Sequence, residues 1–155
     1  MPDAQTHGRI GALAGATASL LATGDLPSDA KVFVTLGGAL AGYAGGKTPD
    51  ALEPAIHSWH RSECHSVAAG TAVIALAVQG EEALRTTLLP RAAELRATRL
   101  GLPEGHSDRL SLWLREIGIY MAYGAIVGFA AGYTSHLVLD GGTDRGIPLL
   151  SQGLV

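Results

Sequence analysis

Cysteine occurs once in the 155 residues, at Cys64. A single thiol excludes an intrachain disulfide framework and a zinc site built on several cysteines. Aromatic side chains make up 5% of the chain, too few for the stacking platforms that hold single-stranded nucleic acid. Charged residues reach only 16%, well below the usual quarter. With a mean hydropathy of +0.24, so little charge excludes a disordered chain. The formal net charge of −3 and isoelectric point near 6.0 argue against attraction to polyanions, so no specific nucleic-acid recognition is expected. No P-loop, no G-x-S-x-G and no strand-borne G-x-G-x-x-G occurs. Glycine is plentiful, 21 residues, but without the three-residue period of collagen.

Small apolar residues fill the space that charge leaves. Hydrophobic residues make up 47% of a chain whose length fits one domain, residues 1–155. Twelve of the 25 charged side chains fall between Glu81 and Glu116. Four apolar blocks stand apart from them: Ile10–Gly24, Val32–Gly46, Ser66–Gly80 and Ile117–Leu139. The first has Ala and Leu with little β-branching, and none has an internal proline, which favours helix over strand.

The punctuation between blocks sets the expected boundaries. Asp25, Pro27 and Ser28 mark a turn, with Ser28 or Asp29 as cap of a second helix ending at Gly45-Gly46. The segment after Gly80 carries Leu84, Leu88, Leu89, Leu95 and Leu100 at helical steps, and Pro90 is expected to kink or split it. Ser107 or Asp108 should cap a helix over RLSLWLREIG, and the last block should run helically to about Asp140. The expected fold is all-α, a compact bundle of about five or six helices whose Gly/Ala-rich faces approach closely. Gly124, Gly128 and Gly132 repeat every four residues, the small-xxx-small pattern of membrane helices; close packing in a soluble bundle reads equally well.

Ile117–Leu139 is 23 residues without a formal charge, long enough to cross a bilayer, which takes about 20. The other three blocks, about 15 residues each, are short for spans and typical of core helices. MPDAQTHGR does not read as a secretory signal. Membrane association is expected, with a cytoplasmic protein of very apolar core as the alternative.

The histidines carry the chemistry. His136 and Asp140 stand four apart, so on a helix they point the same way and could grip one metal ion. The competing reading is a His–Asp hydrogen bond at a polar helix end. His57, His60 and His65 crowd the segment HSWHRSECHS. His60 and His65 diverge by about 140° on a straight helix, so one of them should precede the helix expected from about Ser62. Arg61 could take an anionic oxygen bidentately, or form a surface salt bridge with Glu63. His57 reads as a solvated loop residue. Asp50, after Pro49, is a helix cap for ALEPAIH or a metal ligand; Glu53 is a ligand, a general base or part of a capping pattern. His7 stands alone before the first block, and His106 lies in the charged segment. Cys64 has no evident activator as a nucleophile, and Trp59 and Trp113 read as packing residues.

Four stretches taken together resemble a known family. They are His7 in THGRIGALAG; Asp50 in TPDALE; His60, Arg61, His65 and Ser66 in HRSECHS; and His136, Asp140, Thr143 and Gly146 in GYTSHLVLDGGTDRGIPLL. Their order and spacing over residues 7 to 150 resemble the YdjM-like, LexA-regulated, membrane-bound metal-dependent hydrolases, a family distantly similar to the zinc-dependent phospholipase C and nuclease superfamily. The resemblance implies a helical, inner-membrane-associated hydrolase with a divalent metal, zinc by preference, as one to three ions. Carried over by position, the ligands would be His7, Asp50, His60, His65, His136 and Asp140. Arg61 would steady substrate charge and Glu53 would accept a proton. The substrate would be a phosphoester or lipid-like molecule, and a homo-oligomer is compatible with it. One departure is Leu52, where the family has a second aspartate; Glu53 follows it directly. A non-catalytic protein in which the metal only ties helices together is the alternative.

Overall fold

A computed structural model of the chain describes residues 3–53, 63–142 and 147. Among them run five helices and no strand: α1 (Ala4–Leu21), α2 (Ser28–Gly45), α3 (Thr48–Leu52), α4 (Val67–Gly101) and α5 (Asp108–Gly141). The all-α bundle expected from composition is what the chain forms. His57, His60, Arg61, Thr143 and Gly146 lie outside the described residues.

Local chemistry explains most of the helix ends. The Asp3 carboxylate accepts the Thr6 N–H at 2.7 Å and starts α1. Gly24, at φ +50°, allows the turn toward α2. That helix begins at Ser28 behind Pro27, with no side-chain cap, so the expected capping by Ser28 or Asp29 does not occur. Pro49 sits in the first turn of α3, where its missing N–H costs nothing. Ser66 accepts the Ala69 N–H at 3.1 Å and fixes the start of α4 at Val67, later than the expected Ser62. Ser107 makes no capping bond to α5.

Two expected breaks are absent. α4 passes through Pro90 as one 35-residue helix, and the segment over RLSLWLREIG continues into the last apolar block as the 34-residue α5. Strong helix formers on both sides of Pro90 sustain the helix across the one lost hydrogen bond. At 1.5 Å per residue, each long helix spans roughly 50 Å.

α5 is the axis, with α1, α2 and α4 packed around it. α1 and α4 run antiparallel to α5 and α2 runs parallel. Val34, Gly38 and Gly42 meet Gly124, Gly128 and Gly132 in register. A methyl group at Gly11, Gly15, Gly38, Gly42, Gly128 or Gly132 would strike backbone or side-chain atoms of a neighbouring helix. α1, α2 and α5 therefore touch backbone to backbone, and apolar side chains turn outward instead. Leu21, Leu76 and Leu13 are 80%, 68% and 70% exposed.

A side-chain core of the usual kind lies toward the other end, where Ala30, Val34, Ala92, Tyr120 and Tyr123 are buried together with Phe33, Leu84, Leu89 and Ile119 packed on them. Beside it Glu116, 2% exposed, accepts from Arg96 and Arg99 at 3.0 Å each, and Arg96 also holds Asp29. Tyr123 donates to Glu81 at 2.6 Å.

Both long helices contain a stretch apolar enough to cross a membrane, each of mean hydropathy 1.3. The stretch in α5 was expected. That in α4 arises because the block Ser66–Gly80 does not stop at Gly80.

Candidate metal centre

Four separate pieces of chain meet at one end of the bundle. α1 brings His7 from its first turn, α3 brings Asp50, the turn before α4 brings His65, and the last turns of α5 bring His136 and Asp140. His7, His65, His136 and Asp140 are buried. Glycine makes the convergence possible, because Gly46 lies against the His7 backbone and Gly8 faces the Tyr43 ring, where a side chain would push α1 away.

The orientation of the two central imidazoles is fixed from behind. His65 donates through Nδ1 to a Glu53 oxygen at 2.9 Å, and His136 donates through Nδ1 to the Gly46 carbonyl at 2.8 Å. When Nδ1 carries the only hydrogen of a ring, the neutral imidazole turns its Nε2 lone pair inward; when His65 is protonated, its Nε2–H donates to Asp50 instead. The two Nε2 atoms lie 3.1 Å apart. Asp50 Oδ1 is 3.3 Å from His65 Nε2 and 3.6 Å from His136 Nε2. Asp140 Oδ2 is 3.7 Å and 3.5 Å from the same atoms.

Five of the six distances among these four atoms thus lie between 3.1 and 3.7 Å. Nitrogen and oxygen donors bound to one small ion at about 2.1 Å stand apart by distances of this order. The residues present could therefore hold a metal ion, through atoms from two helices and a turn rather than from one helix face. His7 adds a neighbouring donor. Its Nε2 is 3.5 Å from the other Asp140 oxygen, and its ring stacks on His136 with centroids 3.9 Å apart. The buried Nδ1 of His7 has no hydrogen-bond partner among the described residues. His7, His136 and Asp140 form one group able to hold an ion, and Asp50, His65 and His136 another.

Charge and proton are shared across the cluster. The hydrogen bond from His65, with the nearby imidazoles, holds the Asp50 carboxyl below the ordinary carboxylate range. Burial works to raise Glu53, but hydrogen bonds from His65 and the backbone N–H groups of Cys64 and Glu63 leave it lowered. Burial disfavours charge on His65, yet its bonds to Asp50 and Glu53 keep its pKa above the ordinary histidine value. The same cluster could therefore hold protons or a cation.

Five of the expected site residues thus come together: His7, Asp50, His65, His136 and Asp140. The helical spacing of His136 and Asp140 acts as the i, i+4 geometry predicts. Asp50 is in the first turn of α3 rather than at the cap of a helix over ALEPAIH. Glu53 stands behind His65, with one oxygen on the ring and the other accepting the Glu63 N–H at 2.7 Å. Those contacts let it orient the His65 ring. His60 and Arg61 fall outside the described residues. His106, in the loop before α5, is remote from the cluster and bonds the Asp108 N–H. The Gly46 carbonyl was missed. Only its place four residues before Asp50, in a glycine pair that ends α2, hints at it.

No protein-family model matches the chain, and neither a curated protein nor a solved structure does. The buried His/Asp groups define a helical protein that could hold a metal ion.

Proposed function

We propose that this chain is a membrane-associated, metal-dependent hydrolase acting on phosphoesters. The observation that carries it is the buried pair of Nε2 atoms 3.1 Å apart, both turned inward by hydrogen bonds at Nδ1, with a carboxylate oxygen of Asp50 at 3.3 Å from one and of Asp140 at 3.5 Å from the other. Acceptor atoms gathered and buried in this way need shared protons or a cation between them, because burying them unpaired is costly. The order of the four motifs, similar to the YdjM-like hydrolases, supports the same reading.

His65, His136, Asp50 and Asp140 would hold the ion, zinc by preference for an imidazole and carboxylate donor set. Such an ion supplies Lewis acidity toward a phosphoryl oxygen and makes water acidic enough to act near neutral pH. The chain's own residues do the rest. Glu53 and the Gly46 carbonyl lock the two imidazoles, so the donors do not reorganise during a reaction. The buried side of the cluster excludes water, whereas Asp50, with 37% of its side chain exposed, marks the side from which substrate enters. His7, on the far oxygen of Asp140, extends the donor set toward a second ion.

Metal analysis of wild-type protein purified without chelator tests this, beside His136→Ala and Asp140→Ala and with bis(p-nitrophenyl) phosphate as substrate. About one ion or more per chain, lost in both variants together with hydrolysis, is expected. Metal-free wild type overturns it. One observation favours a second reading. Four protein donors can saturate a tetrahedral ion, which is how structural sites are built. Under that reading the variants lose stability and the wild type, though metal-loaded, hydrolyses nothing.

The outward apolar side chains support the membrane part of the reading. Only 6% of the apolar window of α4 is buried, whereas the core helix of a soluble protein buries most of its own.

A further inference from the structure

The two ends of the bundle differ in charge, and the band between them has almost none. Along α5, Ile117 to Leu139 is without formal charge, about 33 Å of helix against a hydrocarbon thickness of ~30 Å. Beside it, α1 from Ile10, α2 from Val32 to Gly46 and α4 from Val67 to Gly80 carry no Asp, Glu, Lys or Arg either. Within this band the helices meet through glycine backbone, and Leu13, Leu36, Leu40, Leu76 and Val78 face outward. The side-chain core begins inside the hairpin end of the band, at Val34, Tyr120 and Tyr123, and the buried Glu116 with its arginines lies just beyond it. This is the distribution expected when lipid replaces water around the middle of a bundle and packing there depends on small residues.

Positive charge then sets the direction. The hairpin end carries Lys31, Arg85, Arg91, Arg96, Arg99, Arg109 and Arg115. The chain's other four cations, Arg9, Lys47, Arg61 and Arg145, leave the excess at the hairpin end even if all are counted toward the metal end. All seven lie within about 20 residues of the apolar band, the range over which Lys and Arg orient membrane helices; the acidic partners of these arginines contribute little to that bias.

We infer that the band is embedded in a bilayer with the α4–α5 hairpin in the cytoplasm and the His/Asp cluster at the opposite, extracytoplasmic boundary. The inference rests on the membrane association proposed above. It means that both the metal and the substrate reach Asp50 from outside the cytoplasm, from that aqueous phase or from the outer leaflet.

Two single-cysteine chains, each in a Cys64→Ala background, test it in a bacterial host. Gln5→Cys is on exposed α1 near the cluster, and Glu104→Cys is in the exposed loop between α4 and α5. In intact spheroplasts a membrane-impermeant maleimide should label Gln5→Cys and reach Glu104→Cys only after permeabilisation. The reverse pattern overturns the orientation and leaves the membrane reading standing. Labelling of both or of neither before permeabilisation overturns the orientation as well. Recovery of the protein in the soluble fraction without detergent overturns the membrane reading itself. Trypsin on the unaltered chain gives a second measurement that needs no variant. Cleavage in the arginine-rich hairpin should occur in inside-out vesicles and not in right-side-out ones, and the opposite result overturns the proposal.

Discussion

A single methyl group at Gly128 should have the opposite effect from the same methyl group ten residues earlier on the same helix. At Gly128 the added carbon would lie 2.7 Å from the Gly38 carbonyl carbon and closer still to its oxygen and Cα. Ordinary carbon contacts begin near 3.5 Å, so α2 and α5 must part by about 1 Å. Backbone cannot swing aside as a side chain can. The separation is therefore felt along the whole register shared by Gly38, Gly42, Gly124 and Gly132. Overpacking of this kind costs roughly 1–3 kcal/mol or more, and the better helix propensity of alanine returns only about 1. Gly128→Ala should therefore destabilise by about 2 kcal/mol. At Gly118 an added carbon meets nothing within 4 Å, so Gly118→Ala should stabilise by up to about 1 kcal/mol. Urea or thermal unfolding in one detergent, followed by circular dichroism, compares the two. If Gly128→Ala is as stable as the wild type, the backbone contact between α2 and α5 does not exist as described.

Other perturbations probe the cluster and the hairpin separately. Glu53→Gln keeps the size of the side chain but weakens its hold on His65 Nδ1, and metal affinity measured by competition with a chromogenic chelator should fall by about 10- to 100-fold. An unchanged affinity would show that His65 needs no support from behind. Glu116→Gln removes the buried charge between Arg96 and Arg99; a loss of up to about 3 kcal/mol is expected, with metal content unchanged because the cluster is at the other end of α5. The Arg96 hydrogen bond lowers the Asp29 pKa, so its stabilising contribution is complete above the unfolded value of about 4 and is lost as pH falls through the lower folded value. Asp29→Asn should then differ from wild type in unfolding midpoint at pH 6, and the difference should shrink in acid below pH 4; a constant difference would detach Asp29 from Arg96.

Helix, glycine and histidine were legible to different degrees, and the reasons are physical. Composition gave the all-α class directly, because Ala/Leu-rich blocks without proline have no better option. Helix ends were harder, since Pro90 is overridden by a long run of good helix formers and Ser28 is not used as a cap. The period of Gly124, Gly128 and Gly132 announced a close helix contact, but not its partner. Only the three-dimensional register shows that α2 meets it with Gly38 and Gly42 in parallel. Of the site, His136 and Asp140 follow from helical spacing alone. Asp50 and His65 are joined to them by tertiary folding across 71 to 90 residues, which periodicity does not encode; the family resemblance pointed to them. Glu53 shows the limit most clearly. Its residue type is compatible with base, ligand or cap, and which it becomes is decided by where the turn before α4 places the His65 Nδ1. With that nitrogen 2.9 Å away, the carboxylate orients the ring, and the Nε2 on the other side faces the His136 Nε2 at 3.1 Å.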